Sequence, residues 1–448
     1  MKRIATFPFI FLLFSSIFMM FEPDRVRQMS SFSSEMGGSS EIIQVAAINP
    51  STAGTITVTG RWWYWFNTTH VLPITNAKVE IYDEETVGTV YLGSNFTDST
   101  GYFSFGPISN DDGPGEDGLD IIVTVNATSS VARVINPTGV VYSYQTPTFE
   151  NRSDGTWYIS WPTSYNQRGA WWIFCSHFGL TGGWYYLAST VNYNTPTVTC
   201  RWPYGDHPCY WTNGTIDLLD WACWWPDIIL HEYGHHVMNS LYGYIPPCMT
   251  EHYMRTQSNS TTAWAEGWAD FFPLVVFDDP VFVLGINATH GIAYNLETPH
   301  WCSPNWDDGD EVEGRVAGAL WDIFDSQDDS APWYYDSFSD GFQRIWNIME
   351  TTSCHTFQEF WQAWNTSGYP KQPALMAMFQ NTIDYRGPGD ANGDCVVDAT
   401  DYQLVKAHIP SAKGQPNWDK RCDVNNDDVV GGQDIQIVKA NIGKSYDC

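Results

Sequence analysis

The run His231-Glu232-Tyr233-Gly234-His235 holds the residues best suited to chemistry. Residues four apart on a helix share a face, so His231 and His235 can offer two imidazoles to one metal ion. Glu232, one step round, is placed to take a proton from a zinc-activated water. The flanking residues predict the helix this needs. Asp227 follows Pro226 and offers an N-cap carboxylate, and Ile228, Ile229 and Leu230 lead into the histidines. Val237, Met238 and Leu241 continue a buried face, and Gly243 marks a stop. Imidazoles and a carboxylate on a buried strip need partners, and a metal is the simplest one.

The third ligand is expected downstream, in Thr261-Thr262-Ala263-Trp264-Ala265-Glu266-Gly267-Trp268-Ala269-Asp270-Phe271-Phe272. Ser260 or Thr261 would cap this second helix and Pro273 would end it. Glu266 and Asp270 are four apart, hence on one face. Glu266 completes a His, His, Glu set that leaves zinc's fourth position to water. Asp270 is placed to accept the outer N–H of a ligand histidine. With this spacing the chain resembles the gluzincin metallopeptidases, the thermolysin-like group, through the string AWAEGWADFF and over residues 164–386. The resemblance implies a zinc peptidase in which a Tyr or His steadies charge on the former carbonyl oxygen. His252, just ahead of the Glu266 helix, is the first choice for that role, with His290, His300, Tyr334 and Tyr335 as the others. His236 points away from the pair and reads as structural. Residues 311–325 read as a further amphipathic helix, in which Gly314 and Gly318 would let another helix approach and Glu313 and Asp322 are structural, with a supporting role around the metal as the alternative.

The elements around these helices come from the rest of the chain. Its 448 residues suffice for several domains. Lys2 and Arg3 followed by the apolar run from Phe7 to Phe21 read as a secretory signal or an N-terminal anchor over 1–23, with a linker over 24–50. All ten cysteines lie beyond residue 170, and an even count in a secreted chain points to disulfides. Eight Asn-x-Ser/Thr sites, at 67, 95, 126, 151, 213, 259, 287 and 365, agree with an extracellular surface. A formal charge of −30 argues against nucleic acid or an anionic membrane as partner.

From Gly54 the pattern changes to short alternating runs, TITVTGRWWYW, AKVEIYDE, TVYLGSNF, GYFSFG and LDIIVTV, which predict an all-β sandwich over 51–160. These runs resemble the transthyretin-like or carboxypeptidase-regulatory-like domains attached to secreted enzymes. Its Trp62, Trp63, Tyr64 and Trp65 are expected to pack rather than bind sugar.

The C-terminal stretch holds an internal repeat. Oxygen side chains fall at loop positions one, three, five and twelve in Asp390, Asn392, Asp394 and Asp401, and again in Asp423, Asn425, Asp427 and Asp434. Val396 and Val429 would each offer a carbonyl, and Asp398 lies at position nine. That is calcium spacing of the EF-hand type, each loop leading into a short helix. The pair resembles a dockerin, which implies calcium and docking to a cohesin-like partner or to a surface of the same chain. Cys395 and Asp428 stand where Gly is usual. Cys395, Cys422 and Cys448 are candidates to brace the module.

The fold expected is multidomain: an all-β sandwich (51–160), an α+β zincin-like metallopeptidase domain (161–386) and a small α-helical dockerin or EF-hand-like module (387–448). The function expected is a secreted or cell-surface zinc metalloendopeptidase acting on proteins or peptides, with Glu232 as general base. The competing class is an adhesion or scaffold protein that has lost catalysis and docks through its tail. The presence of both Glu232 and Glu266 speaks against it.

Overall fold

Strand β1 (Thr55–Trp65) alternates buried and half-exposed side chains, with Ile56, Val58, Trp62 and Tyr64 turned inward. In this computed structural model, which describes residues 54–112, 118–298, 301, 303–326 and 338–447, it anchors the first of three four-stranded sheets found among those residues. The leader, the linker, His300, Cys302, Tyr334, Tyr335 and Cys448 lie outside the described residues. Next come β2 (Val71–Pro73), β3 (Lys78–Glu84), β4 (Thr89–Phe96), β5 (Tyr102–Ser109) and β6 (Ile121–Asn126). Then follow β7 (Ala132–Ile135), β8 (Ser143–Gln145) and β9 (Gly155–Pro162). The first sheet runs β2-β1-β5 antiparallel, with β9 added parallel to β1; the second runs β4-β3-β6-β8. All five predicted runs are strands. Trp62 is fully buried, and the Trp63 indole donates to Ser160 Oγ at 3.0 Å, so these aromatics pack.

β7 belongs elsewhere. It pairs in parallel with β10 (Val198–Arg201), in a sheet completed by β11 (Cys209–Trp211) and β12 (Thr215–Asp217) in the order β11-β12-β10-β7. Helices α1 (Arg168–Cys175) and α2 (Leu180–Thr190) lie between, and the described residues all belong to one contact unit.

The helical part follows with α3 (Pro226–Tyr242) and α4 (Ser260–Phe277), then the hairpin β13 (Val281–Asn287) and β14 (His290–Asn295). After it come α5 (Glu313–Phe324), α6 (Phe342–Thr351), α7 (Phe357–Thr366) and α8 (Lys371–Gln380). Trp264, Trp268, Trp321, Trp346 and Trp364 are fully buried among these helices. The tail is α9 (Ala399–Ala407), a short pair β15 (Ser411–Ala412) and β16 (Val429–Val430), and α10 (Gly432–Asn441). Its own core is Ala391, Val397, Val405, Trp418, Cys422, Val430 and Val438. Among the described residues, no helix is long and apolar enough to cross a membrane. Cys175, Cys200, Cys209, Cys223, Cys248, Cys354 and Cys422 are free thiols.

Three local expectations are corrected. Asp227 does not cap α3: Trp225 is the N-cap, Pro226 opens the first turn, and Asp227 Oδ1 accepts from the Val283 N–H of β13 at 3.0 Å. Neither Ser260 nor Thr261 caps α4; Asn259 does, accepting from Thr262 N. Pro273 sits inside α4, which runs four residues further because Leu274 and Val275 are buried in the core. Gly243 does end α3, in the left-handed conformation with φ 77°.

Candidate metal centre

α3 and α4 approach closely enough to bring their polar strips together. A Cβ on Gly234 would lie 3.0 Å from Ala269 Cα, so glycine lets the two backbones meet. The Trp268 indole, reaching across from α4, donates to the Gly234 carbonyl at 3.0 Å. On the other side of α4, Gly267 lies where a Cβ would be 2.7 Å from the Val316 side chain of α5. Gly314 and Gly318 serve a different purpose from the one expected. They are met by the Met254 carbonyl and by the Asn381 side chain, which are loop residues.

In this arrangement Glu266 Oε2 lies 3.3 Å from His231 Nε2 and 3.2 Å from His235 Nε2. One ligand atom from each of the three lies within 4.8 Å of the others. The imidazoles stand nearly perpendicular, 4.9 Å apart at 88°. Behind them, His231 Nδ1 donates to Asp270 Oδ1 at 2.9 Å, which turns a bare Nε2 toward the Glu266 carboxylate. Two lone pairs facing at that distance need a positive charge between them. Without a metal a proton supplies it: burial opposes a charged His231, but its bonds to Asp270 and Glu266 win and drive its pKa well up. Burial likewise opposes the charged Glu266, and the histidines override it, holding the carboxyl well below its usual range. A divalent cation satisfies the same three atoms, so the donor set fits zinc. His235 Nδ1 is buried with no hydrogen-bond partner among the described residues.

Glu232 is 6 % exposed, and burial pushes its pKa up while the two histidines pull it down. His236 does not join: its Nε2 donates to the Pro196 carbonyl at 2.9 Å, its Nδ1 lies 3.3 Å from Tyr210 Oη, and burial lowers its pKa. His252 is brought in from the loop before α4. Its Nδ1 donates to Glu313 Oε2 at 2.7 Å and its Nε2 lies 3.7 Å from Glu266 Oε1. His290 opens β14, where its Nδ1 meets Thr289 Oγ1 at 2.8 Å. Phe282 of the hairpin borders the centre, its ring 6.1 Å from His231.

Of the two readings the sequence leaves for Glu313, packing or support around the metal, its bond to His252 favours the second. The hairpin that brings Phe282 to the centre is visible in the sequence only as two short alternating runs around Asn287-Ala288-Thr289. Two further clusters have similar reach. Asp83, Glu85 and Asp112 are all carboxylate; in His408, Asp419 and Cys422, Asp419 is taken by Arg421 at 2.6 Å.

In the tail, the predicted ligands turn into their own loops. Asp390 accepts from Gly393 N at 2.8 Å and Cys395 N at 2.9 Å. Asp401 accepts from Ala391 N at 2.8 Å, Asn392 N at 3.1 Å and Asp398 N at 2.8 Å. Asp394 accepts from Val396 N at 3.0 Å, and Asp398 caps α9 through Thr400 N. In the second loop Asp423 takes Asp427 N and Asp428 N, Asp427 takes Val429 N, and Asp434 takes Val424 N and Gly431 N. Asn425 donates to Asp427 Oδ2 at 2.9 Å. Cys395 and Asp428 adopt the left-handed conformation that position six requires, at φ 68° and 64°. Burial pushes Asp390 up to about 6, with the Asp401 charge adding to it. Crowded carboxylates of this kind fit a calcium ion.

Residues 183–382 match the Mycolysin C-terminal domain family, a stretch that includes His231, Glu232, His235, His252, Glu266, Asp270 and Glu313. Residues 388–443 match the Dockerin type I domain. No curated protein matches. Among solved structures, a 9R-lipoxygenase from Cyanothece PCC8801 is 17 % identical over 31 % of this chain and 20 % of that one, with a TM-score of 0.18. The chain thus spans about a fifth of that protein's length. A putative carbohydrate binding protein from Pseudomonas aeruginosa is 12 % identical over 26 % of this chain and all of that one, with a TM-score of 0.14.

Proposed function

We propose that this chain is a secreted zinc-dependent metalloendopeptidase with a calcium-binding dockerin-like tail. The observation that carries the reading is the convergence of His231, His235 and Glu266 from two packed helices, with Asp270 behind His231. The match to a mycolysin C-terminal domain supports a peptidase-related protein, and the dockerin match supports an extracellular setting and a cohesin-like partner. The division into 51–160, 161–386 and 387–448 belongs to the same proposal, with β7 of the first part crossing over to complete the sheet of the second.

His231, His235 and Glu266 would hold the zinc, which when bound polarises the scissile carbonyl and activates water. Asp270 keeps His231 in the tautomer that ligates through Nε2. Glu232 takes the proton from the attacking water and passes it to the leaving amine. Burial raises its pKa and so makes it a better base and a serviceable acid. His252, pushed up to about 9 chiefly by its bond to Glu313, carries an Nε2–H near the centre. From there it donates to the oxygen on which negative charge develops.

The test joins zinc determination on the purified chain with digestion of an unfolded protein such as casein. About one zinc per chain together with endoproteolysis is the expected result. A zinc-loaded chain inert toward varied proteins and peptides would leave docking as its role. For the tail, calorimetry should count about two calcium ions.

A further inference from the structure

The tail is fastened to the helices by charged side chains that have been taken out of water. The Arg386 side chain, only 4 % exposed, lies 3.9 Å over the Phe379 ring of α8. Its Nη1 donates to the carbonyl of Ala391 at 3.0 Å and to that of Arg421 at 3.3 Å. Ala391 is the second residue of the first loop, and Arg421 stands two residues ahead of the second. One guanidinium thus joins α8 to both halves of the repeat. Lys420 makes a parallel link. Its ammonium lies 4.5 Å over the Trp301 ring and donates to Asp423 Oδ2 at 2.9 Å and Asn426 Oδ1 at 2.6 Å. Trp301 in turn donates to the Phe379 carbonyl at 2.6 Å. Gln372 of α8 reaches the Asn392 carbonyl of the first loop at 3.3 Å.

Burying an arginine and a lysine costs free energy that only well-made partners offset. Here the partners of each lie on both sides of the seam. Each charge also keeps an ion pair on its own side, Arg386 with Asp384 through two bonds of 2.9 Å and Lys420 with Asp423. A module swinging on a free linker would still cost the buried Arg386 its bonds to Ala391 and Arg421 and Lys420 its Trp301 ring, so the seam has one favoured arrangement. It also reaches inward: Asn381, directly after α8, donates to Asp322 Oδ2 of α5 at 2.6 Å, and α5 is the helix that begins with Glu313.

We propose that the C-terminal module is a fixed part of the peptidase body, and that a divalent cation entering its loops stabilises α8 and α5 as well as the module. The inference rests on reading the two loops as calcium sites. A cation that binds only the folded loops stabilises whatever unfolds together with them.

The experiment uses the full chain stripped of calcium and titrated with calcium chloride, with uptake followed by calorimetry and protection by hydrogen–deuterium exchange. On uptake, peptides covering 371–381 and 313–324 should gain protection together with 390–401, and the thermal midpoint should rise by on the order of 5 °C. Arg386→Met should still take up calcium while its gain in protection stays within 388–447. If that variant does not fold, Gln372→Ala, which removes only the link between α8 and the first loop, should reduce the gain over 371–381. Calcium uptake by the parent chain with protection confined to 388–447 would overturn the fixed seam. Absence of any uptake would overturn the calcium reading itself and this inference with it, and calorimetry distinguishes that failure from the first.

Discussion

His252 and Glu313, 61 residues apart in sequence, meet at 2.7 Å between Nδ1 and Oε2, and this leaves His252 Nε2 facing Glu266. The bond raises the histidine, while burial pushes the Glu313 carboxyl up, so the two hold a shared proton tightly. Glu313→Gln removes the charge that keeps His252 protonated. The His252 pKa should fall, so the alkaline limb of the kcat/KM profile should move to lower pH, with activity at neutral pH down about 10- to 100-fold. An unshifted profile would show that Glu313 acts only in packing.

His235→Ala and Glu266→Ala should each abolish stoichiometric zinc, because two remaining ligands cannot hold the ion against solvent. Elemental analysis after dialysis is the measurement. Full zinc content in both variants would remove the assignment.

Glu232→Gln preserves shape and hydrogen bonding and removes the base. It should keep its zinc and lose on the order of 10²–10⁴-fold in kcat with KM little changed. Unchanged turnover would mean that another group takes the proton.

Asp83 gives a pH dependence away from the centre. It is 3 % exposed, accepts from Asp120 N at 2.8 Å, and is pushed up to about 6 by burial, with Asp112 and Glu85 adding to it. Its folded pKa lies above the ordinary carboxylate value, so the folded state binds this proton more tightly than the unfolded one. Stability should therefore fall as pH rises from about 4 to about 6, by on the order of 1–2 kcal/mol after discounting for screening of its exposed neighbours. Thermal melts across that range should show the decline, and Asp83→Asn should flatten it.

Asp401, fully buried, accepts three backbone N–H groups of its own loop. Asp401→Ala should cost roughly 2–4 kcal/mol locally and suppress calcium uptake at the first loop. Exchange over 390–401 and the calorimetric ion count report the two effects separately.

Periodicity made much of this legible in the sequence. The spacings of His231 with His235 and of Glu266 with Asp270 set helix faces directly, and all five alternating runs between Gly54 and Val125 are strands. What periodicity cannot carry is contact between distant segments. Nothing local links His252 to Glu313, or Asp227 to the strand whose Val283 N–H it accepts. Pro273 misled for the same reason. Its local preference to end a helix is real, but Leu274 and Val275 find a core to fill, and tertiary burial outweighs one lost backbone bond.

The strand β7 has a practical consequence for anyone trimming this chain. It lies within the N-terminal β stretch, yet its partner is β10, and the sheet β11-β12-β10-β7 ends on it. A fragment beginning at residue 161 would leave β10, with Val198 and Cys200 fully buried in the whole chain, as an open edge. Unpaired N–H and C=O groups beside newly bared apolar side chains recruit strands from other molecules. Such a fragment should be recovered as aggregate, whereas one that starts ahead of β1 should stay in solution.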